Sequence, residues 1–336
     1  MRILVTGAGG FVGSRLVPEL AALGHDIIPT FHTKNTGGPV VDMTDQAAVE
    51  LLVAAARPER AYHLAAQSSA GVSWREPGLT YQVNVTGTHY LLEAMQRHVP
   101  ECRVLVAATS DEYGMVDPTR CPLDESAPLR PVSPYAVSKV AQEWVGRTFF
   151  EGFGLPVLIT RAFMHIGPGQ PASFATADWA RQIALAEIGL HDPVVKVGNL
   201  DLAREFGDVR DVVRAYIDVV DKGEPGEAYN VATGEPKTLR ETLEVLVSLA
   251  QIDIDIQVDP AKIRPADPPL LTGSALKLER LTGWKPQRGT EETLAEVLDY
   301  WRAEVGSHND ADRPSPPVDA RVRPKPPRAD AVRSSG

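Results

Sequence analysis

Residues 2–24, RILVTGAGGFVGSRLVPELAALG, decide the fold. RILVTG is short, apolar and β-branched, and a glycine stops it, so it reads as a buried strand. In the following SRLVPELAALG, Leu16, Val17, Leu20 and Leu23 recur at helical spacing and Gly24 ends the run. Pro18 is expected near the start of that helix, where its missing N–H costs least. Between strand and helix lie Gly7, Gly10 and Gly13, with Phe11 and Val12 among them. Glycine lets this turn close tightly and brings backbone N–H groups against a pyrophosphate at the helix N-terminus. Such turns also carry glycine for packing alone. A strand, a glycine triplet and a helix in this order point instead to dinucleotide binding.

Outward from this turn, HDIIPTF, RAYHLAA, RVLVAAT and PVLITRA read as strands. They alternate with helical stretches in DQAAVELLVAAA, NVTGTHYLLEAMQRH and PYAVSKVAQEWVGRTFFEGFG. That alternation predicts an α/β fold, a Rossmann-type doubly wound parallel sheet, over 1–165. Residues 166–306 are richer in Pro, Gly and short mixed segments, and read as a smaller mixed lobe for a substrate. EAYNVAT within it is expected to return to the main sheet. From Ser307 to Gly336 the chain has no apolar period and many Pro, Arg and Asp, which predicts a disordered tail. Its mixed charges argue against a basic binding arm.

The chain has 336 residues, room for roughly two domains and a sizeable core. Its formal net charge of -10 works against nonspecific attraction to nucleic acid or an anionic membrane. Any bound phosphate must therefore be held by a few placed cations. The two cysteines, Cys102 and Cys121, form no CxxC and cannot staple a chain of this length, which fits a reducing compartment. No apolar run approaches the ~20 residues of a membrane helix, and glycines break the one N-terminal stretch that begins like a signal peptide. A cytoplasmic protein is expected. The eight histidines are scattered, and no metal site is expected.

The end of the second strand, Pro29 to Lys34, lacks the acidic residue that holds the adenosine ribose of NAD. His32 and Lys34 suit a 2′-phosphate, so NADP(H) is expected, with NAD(H) the alternative. Lys34 also reads as a solvated loop lysine. Asp42, with Met43 in the short strand VVDMTD, either meets the adenine amino group or caps a helix beginning near Thr44. Leu64, Ala65 and Ala66, after the third strand, are expected on the cofactor side.

Tyr135 and Lys139 stand four apart at the start of a predicted helix, on one face and one turn from each other. An ammonium near a phenol favours phenolate, so the phenol is expected to exchange a proton near neutrality. Thr109 ends the strand RVLVAAT, where its hydroxyl can bond the same substrate oxygen. A Tyr/Lys pair alone is commonly surface packing. Together with the glycine turn and Thr109 it is far more specific.

These motifs, with TGAGGFVG, HLAAQSS, NVTGT, ATSDEYG and SPYAVSKVAQE, resemble the extended short-chain dehydrogenase/reductase family over nearly all of residues 1–302. The resemblance implies a Rossmann core with a C-terminal substrate lobe and a Thr109–Tyr135–Lys139 triad. It makes Asn84 the family's structural asparagine beside the cofactor. Within the family the chain is most similar to enzymes acting on GDP-mannose derivatives, through RPVSPYAVSK, HIGPGQ, VKVGNLDLAREFGDVRDVVRAY, GEAYNVATG, IRPADPP and TGWKP. Lys196 and Asn199 then fall where such enzymes place the nucleotide base. Arg204 and Arg264 suit a diphosphate as planar bidentate donors. Each also has acids nearby, Glu205 and Asp208 for the first and Asp267 for the second, as a structural ion pair would. The resemblance further implies a homodimer, or a tetramer, through the helices carrying Asn84–His98 and Tyr135–Phe150.

Two chemistries share the scaffold. A 4,6-dehydratase oxidises C4, removes the C5 proton with a carboxylate, expels water from C6 and returns the hydride to C6. A 4-ketoreductase only delivers hydride to C4 while Tyr135 supplies the proton. Ser110, Asp111 and Glu112 follow Thr109, and Asp111 falls where dehydratases carry a glutamate base. Aspartate is a methylene shorter, and a base misplaced by about 1 Å costs roughly 100-fold. The segment FHTKNTGGPVVD is also shorter than its dehydratase counterpart. GDP-4-dehydro-6-deoxy-D-mannose reduction to GDP-D-rhamnose is therefore expected, with dehydration, with Asp111 or Glu112 as base, the alternative. A 4-epimerase or a non-catalytic scaffold fits less well, because the second strand lacks the acid and both YxxxK and the glycine turn are intact. One departure stands out: Met164 occupies a position where relatives carry asparagine, so a hydrogen bond to the sugar or phosphate is lost. His165, Ser68, Ser69, Ser110 and Trp74 are the other expected substrate contacts, with core packing the other reading of His165 and Trp74.

Overall fold

The computed structural model describes residues 1–33, 37–263 and 266–311, the last four by backbone alone. Lys34, Arg264 and the expected tail from residue 312 lie outside the described residues.

The first half runs β1 (Arg2–Thr6), α1 (Gly13–Ala22), β2 (Asp26–Pro29), α2 (Gln46–Ala56), β3 (Arg60–His63), α3 (Ala70–Arg75), α4 (Pro77–Tyr81), α5 (Gly87–His98), β4 (Arg103–Thr109), α6 (Pro134–Phe153) and β5 (Val157–Ala162). The second half adds β6 (His165–Ile166), α7 (Ala175–Glu187), β7 (Val194–Val197), β8 (Ala203–Arg204), β9 (Gly207–Asp208), α8 (Val209–Lys222) and β10 (Ala228–Val231). It closes with β11 (Lys237–Thr238), α9 (Leu239–Ser248), β12 (Asp255–Val258), β13 (Leu270–Leu271), α10 (Leu276–Thr282) and α11 (Thr290–Ala311).

Six strands form one parallel sheet in the order β10-β5-β4-β3-β1-β2. Strand pleating divides its side chains. Leu4, Val104 and Val106 enter a core with α2 and α5, whereas Ile3, Val5 and Leu105 enter one with α1 and α8. Burial on both faces explains why these strands read as continuous apolar runs. β10, from EAYNVAT, pairs with β5 (Ala228↔Ile159), and α8 and α10 also pack on the sheet. The remaining segments of the second half build a separate core around Trp179, Ile183, Leu243, Leu246 and Leu298, on α7, α9 and α11.

Several local expectations are corrected. Pro18 lies within α1, not at its first turn. VVDMTD contributes a single bridge, Phe31↔Val40, not a strand. The helix expected near Thr44 starts at Gln46, because Asp45 caps it by accepting from the Ala48 N–H. The helix expected through NVTGTHYLLEAMQRH is preceded by a π-helical turn at Gln82–Thr86. α11 continues past Ser307 to Ala311, so helical backbone occupies the start of the predicted tail. Among the described residues no helix is long and apolar enough to cross a membrane.

Candidate active site

The strand order reverses around β1: the chain steps out to β2 and then returns to place β3 on the other side. A crevice opens at the carboxyl ends of strands at such a switch point. Here it widens into a cleft of about 1650 Å³, beyond the roughly 300–1,000 Å³ that holds one drug-sized ligand. Gly7 sits in the turn at φ +71°, and a Cβ there would lie 2.7 Å from the Ala65 nitrogen. A Cβ on Gly13 would lie 2.3 Å from the Gly7 carbonyl oxygen. Both positions exclude any larger residue. No side chain caps α1, whose Ser14, Arg15 and Leu16 N–H groups bond the Gly10 and Val12 carbonyls, and Gly10, Phe11, Val12 and Gly13 line the cleft. A glycine turn leading into a helix N-terminus at the cleft wall suits a pyrophosphate.

The substrate side braces this turn from above. Arg15 Nη2 donates to the Pro168 carbonyl at 2.8 Å, and the Phe11 ring stacks parallel to His165 with centroids 6.0 Å apart. Arg15 carried no motif in the sequence. His32, Asp42, Met43, Leu64, Ala65 and Ala66 line the same cleft. Asp42 accepts from the Thr44 N–H at 2.9 Å and its hydroxyl at 2.8 Å. The backbone bond foremost holds its carboxyl below the usual range, and the expected capping role falls to Asp45. Asn84, expected beside the cofactor, is fully buried outside the cleft wall. It accepts from the Gln67 N–H (2.8 Å) and donates to the Ser138 hydroxyl (2.9 Å), tying the loop after β3 to α6.

Thr109 ends β4, and Tyr135 enters at the first turn of α6, which Ser133 caps through the Ala136 N–H with Pro134 at the helix start. Both line the cleft with Lys139. The Lys139 ammonium lies 6.0 Å from the Tyr135 ring centroid. The sequence led us to expect a phenol shifted toward phenolate. In the structure the Tyr135 phenol sits deep, and burial, followed by the Asp111 carboxylate, pushes its pKa up, with Thr109 opposing. The phenol is therefore held protonated at neutral pH. Burial also lowers the Lys139 ammonium to about 8.

Lys139 Nζ donates to the Ala107 carbonyl at 2.9 Å and to Gln142 Oε1 at 2.8 Å. Gln142 is itself fixed by a buried polar chain. Thr88 Oγ1 gives its only proton to the Asn84 carbonyl (2.7 Å), so it accepts from Gln142 Nε2 and His63 Nε2, each at 2.8 Å. His63 Nδ1 then accepts from the Thr6 hydroxyl at 2.8 Å, which accepts from the Ala65 N–H at 3.2 Å. This assigns a neutral imidazole, and burial pushes the His63 pKa down to about 3. The chain joins the ends of β1 and β3 to the ammonium. Gln142 was missed because a glutamine three residues after a lysine carries no signal alone.

Ser110 and Asp111 line the cleft, but Glu112 does not. The short helical turn Ser110–Tyr113 aims successive residues in different directions, and Glu112 is fully buried beneath it. This removes the second carboxylate expected as a base from reach of a substrate. On the substrate side Ser68, Ser69, Trp74, Met164, His165, Asn199 and Arg204 line the cleft. Ser69 also caps α3 through the Val72 N–H. Lys196 does not line the cleft. That part of the wall belongs to Lys262, which the sequence did not single out. Lys262 pairs with Asp178 at 2.5 Å and donates to the Lys196 carbonyl at 3.0 Å. Arg204 is buried, donates to the Ala203 carbonyl (2.7 Å) and stands 3.7 Å from Asp267. The partners expected for it are engaged elsewhere: Glu205 with the N–H groups of Thr233, Gly234 and Gly273, and Asp208 with Arg210. Among the described residues no cluster of His, Cys, Asp or Glu could hold a metal ion.

Comparison with known proteins agrees with this geometry. The profile of the family described as GDP-mannose 4,6 dehydratase matches residues 4–297. The chain is 37% identical to the GDP-6-deoxy-D-mannose reductase of Pseudomonas aeruginosa over 306 residues, 90% of this chain and 98% of that protein. It is 31% identical to a GDP-mannose 4,6-dehydratase of Yersinia enterocolitica, over 76% of each. Among solved structures it is similar to RMD from Pseudomonas aeruginosa complexed with NADPH, with a TM-score of 0.82, 34% identity, and coverage of 90% of this chain and 100% of that one. A Thermus thermophilus UDP-glucose 4-epimerase in complex with NAD gives a TM-score of 0.81 at 31% identity, covering 90% of this chain and 99% of that one. The chain belongs to the GDP-mannose 4,6-dehydratase family of extended short-chain dehydrogenase/reductases.

Proposed function

We propose that this protein is an NADPH-dependent ketoreductase that converts GDP-4-dehydro-6-deoxy-D-mannose to GDP-D-rhamnose. The observation that carries the reading is the Tyr135 phenol beside Thr109 and Lys139 in a cleft that also contains the glycine turn and Arg204. A ketone reduction needs a proton donor at the oxygen, and a neutral phenol is one. When bound, the reduced nicotinamide supplies hydride to C4. Thr109 orients the C4 oxygen, Tyr135 protonates it, and the Lys139 charge favours release of that proton. The α1 N-terminus, Gly10, Phe11 and Val12 hold the cofactor pyrophosphate, with His32 and Lys34 toward a 2′-phosphate. Arg204 and Arg264 hold the substrate diphosphate, and Asn199 and Lys262 stand at the base.

The chain is 37% identical to the reductase, against 28% to 31% for the dehydratases, which favours the same choice. Asp111 supports the second reading, since it is a carboxylate on the cleft wall two residues from Thr109. The two are separated by following the near-ultraviolet absorbance of reduced nicotinamide. A reductase consumes one cofactor per 4-ketone and leaves GDP-mannose untouched. Conversion of GDP-mannose to the ketone without net cofactor loss would overturn the reading and make Asp111 the elimination base.

We further propose that 1–165 is mainly the cofactor domain and 166–306 mainly the substrate lobe. Self-association through the α5/α6 face is proposed from the resemblance, with Val137 and Trp144 exposed on α6. A cytoplasmic location is supported by Cys102 and Cys121 being free thiols.

A further inference from the structure

Beneath the catalytic pair lies a polar cluster the reaction does not touch. Arg161 on β5 is buried and grips Glu143 of α6 with two bonds, Nε to Oε2 at 2.8 Å and Nη2 to Oε1 at 2.7 Å. Arg147 adds a third, Nε to Glu143 Oε1 at 2.9 Å. The remaining Arg161 nitrogen donates to the Tyr113 hydroxyl and the Glu125 carbonyl, each at 3.1 Å. The guanidinium is thus committed to Glu143, Tyr113 and Glu125. Glu112 comes only within 3.6 Å of it, too far for a hydrogen bond. Neither Glu112 oxygen has a donor, and both are buried. Among the described residues, the acceptor side chain facing this carboxyl is Glu143, itself a carboxyl.

Two ionised carboxylates cannot bond each other, and a second buried charge that accepts no hydrogen bond is costly at this depth. A proton between them resolves both problems. We propose that Glu112 carries that proton and donates it to Glu143, and that its neutrality makes it a positioning residue for Tyr135 and Lys139. The groups facing Glu112 are Glu143, Lys139 and Tyr135 from α6, Arg161 from β5, and Asp111 and Tyr113 on its own turn. Ionised, it would bind the Lys139 proton more tightly and make the Tyr135 proton harder to release. The titration directions agree: burial foremost, then Glu143, holds Glu112 well above the ordinary carboxylate range, while Arg161 bonding helps keep Glu143 below it.

This inference rests on Tyr135 being the proton donor, so its test has one arm independent of turnover. Carboxyl carbon NMR of the NADPH-bound wild type, with glutamate labelled and E112Q for assignment, is expected to show Glu112 protonated at neutral pH. An ionised Glu112 would overturn the proposal even if the enzyme reduces the ketone as proposed, and inactive protein would still give this readout. The kinetic arm compares two isosteric variants. E112Q keeps a neutral donor toward a charged Glu143 and is expected to retain kcat within about threefold, with its alkaline limb in place. E143Q transfers the charge to Glu112, and is expected to lower kcat about tenfold and move that limb to higher pH by roughly one unit, a change worth 1.36 kcal/mol. Equal losses in the two variants, or a limb moved downward in E112Q, would contradict it. If E143Q does not fold, the NMR arm and the E112Q profile still decide.

Discussion

The cofactor side and the substrate side of the cleft are made by different means. Around β1 and α1 the wall is mostly backbone: a glycine turn too tight for a Cβ and a helix start with no side-chain cap. Across the cleft it is mostly side chains from segments distant in sequence: His165, Asn199, Arg204 and Lys262. Tyr135 and Lys139 lie at the seam, on α6, which packs against β4 and β5 and reaches the cleft. A backbone site depends on where the chain can turn, whereas a side-chain site depends on which partners each charge finds. The two sides should therefore fail differently.

At the seam, Tyr135→Phe removes the proton donor while leaving the ring in place. The loss expected is about 10²–10⁴-fold in kcat with little change in either KM, measured as steady-state ketone reduction. A comparable loss of binding would show instead that the phenol holds substrate. On the backbone side, Gly13→Ala forces a Cβ to 2.3 Å from the Gly7 carbonyl. Overpacking of this kind costs about 1–3 kcal/mol, and here it should appear as weaker NADPH binding by calorimetry with substrate binding to the free enzyme less affected. On the side-chain side, Arg204→Met should raise the KM for the GDP-sugar by about 10–100-fold, the worth of a charged hydrogen bond, and leave NADPH affinity near wild type. A mainly structural Arg204–Asp267 pair would instead lower the melting temperature without a selective KM effect.

A smaller effect sharpens the seam. Burial lowers Lys139 to about 8, below the ordinary lysine value. Its charge is thus present below that pH and lost above it, so kcat should fall as pH rises through about 8. The sign for stability is opposite. The unfolded chain binds the extra proton between about 8 and 10.5, so Lys139 favours the folded state more as pH rises across that window. Gln142→Leu removes the acceptor 2.8 Å from the ammonium. It should lower kcat several-fold and move the limb down, because a charged lysine loses a partner. An unchanged limb would mean that Gln142 only packs.

The same division explains what could be read in advance. The glycine turn, the strand–helix alternation and the Tyr135–Lys139 pair follow from chain geometry, which spacing records directly. The return of β10 to the sheet was legible because EAYNVAT is a β-rich run in an otherwise irregular half. Glu112 was misjudged because Ser110, Asp111 and Glu112 are consecutive acceptors, and only the tight turn decides that Asp111 faces the cleft and Glu112 the core. Lys262 was overlooked in favour of Lys196 because the choice depends on Asp178, 84 residues away. The phenol's protonated state was also hidden, since burial acts on it more strongly than the neighbouring lysine.

The central claim, net reduction at C4 with Tyr135 as acid, is tested most directly by isotope transfer. NADPH carrying deuterium at the transferable nicotinamide position is incubated with the 4-keto-6-deoxy GDP-sugar, and the product is read by NMR. The account predicts one deuterium at C4 per cofactor oxidised, abolished in Tyr135→Phe. A product without deuterium at C4, or GDP-mannose turned over with no cofactor oxidised, would contradict it.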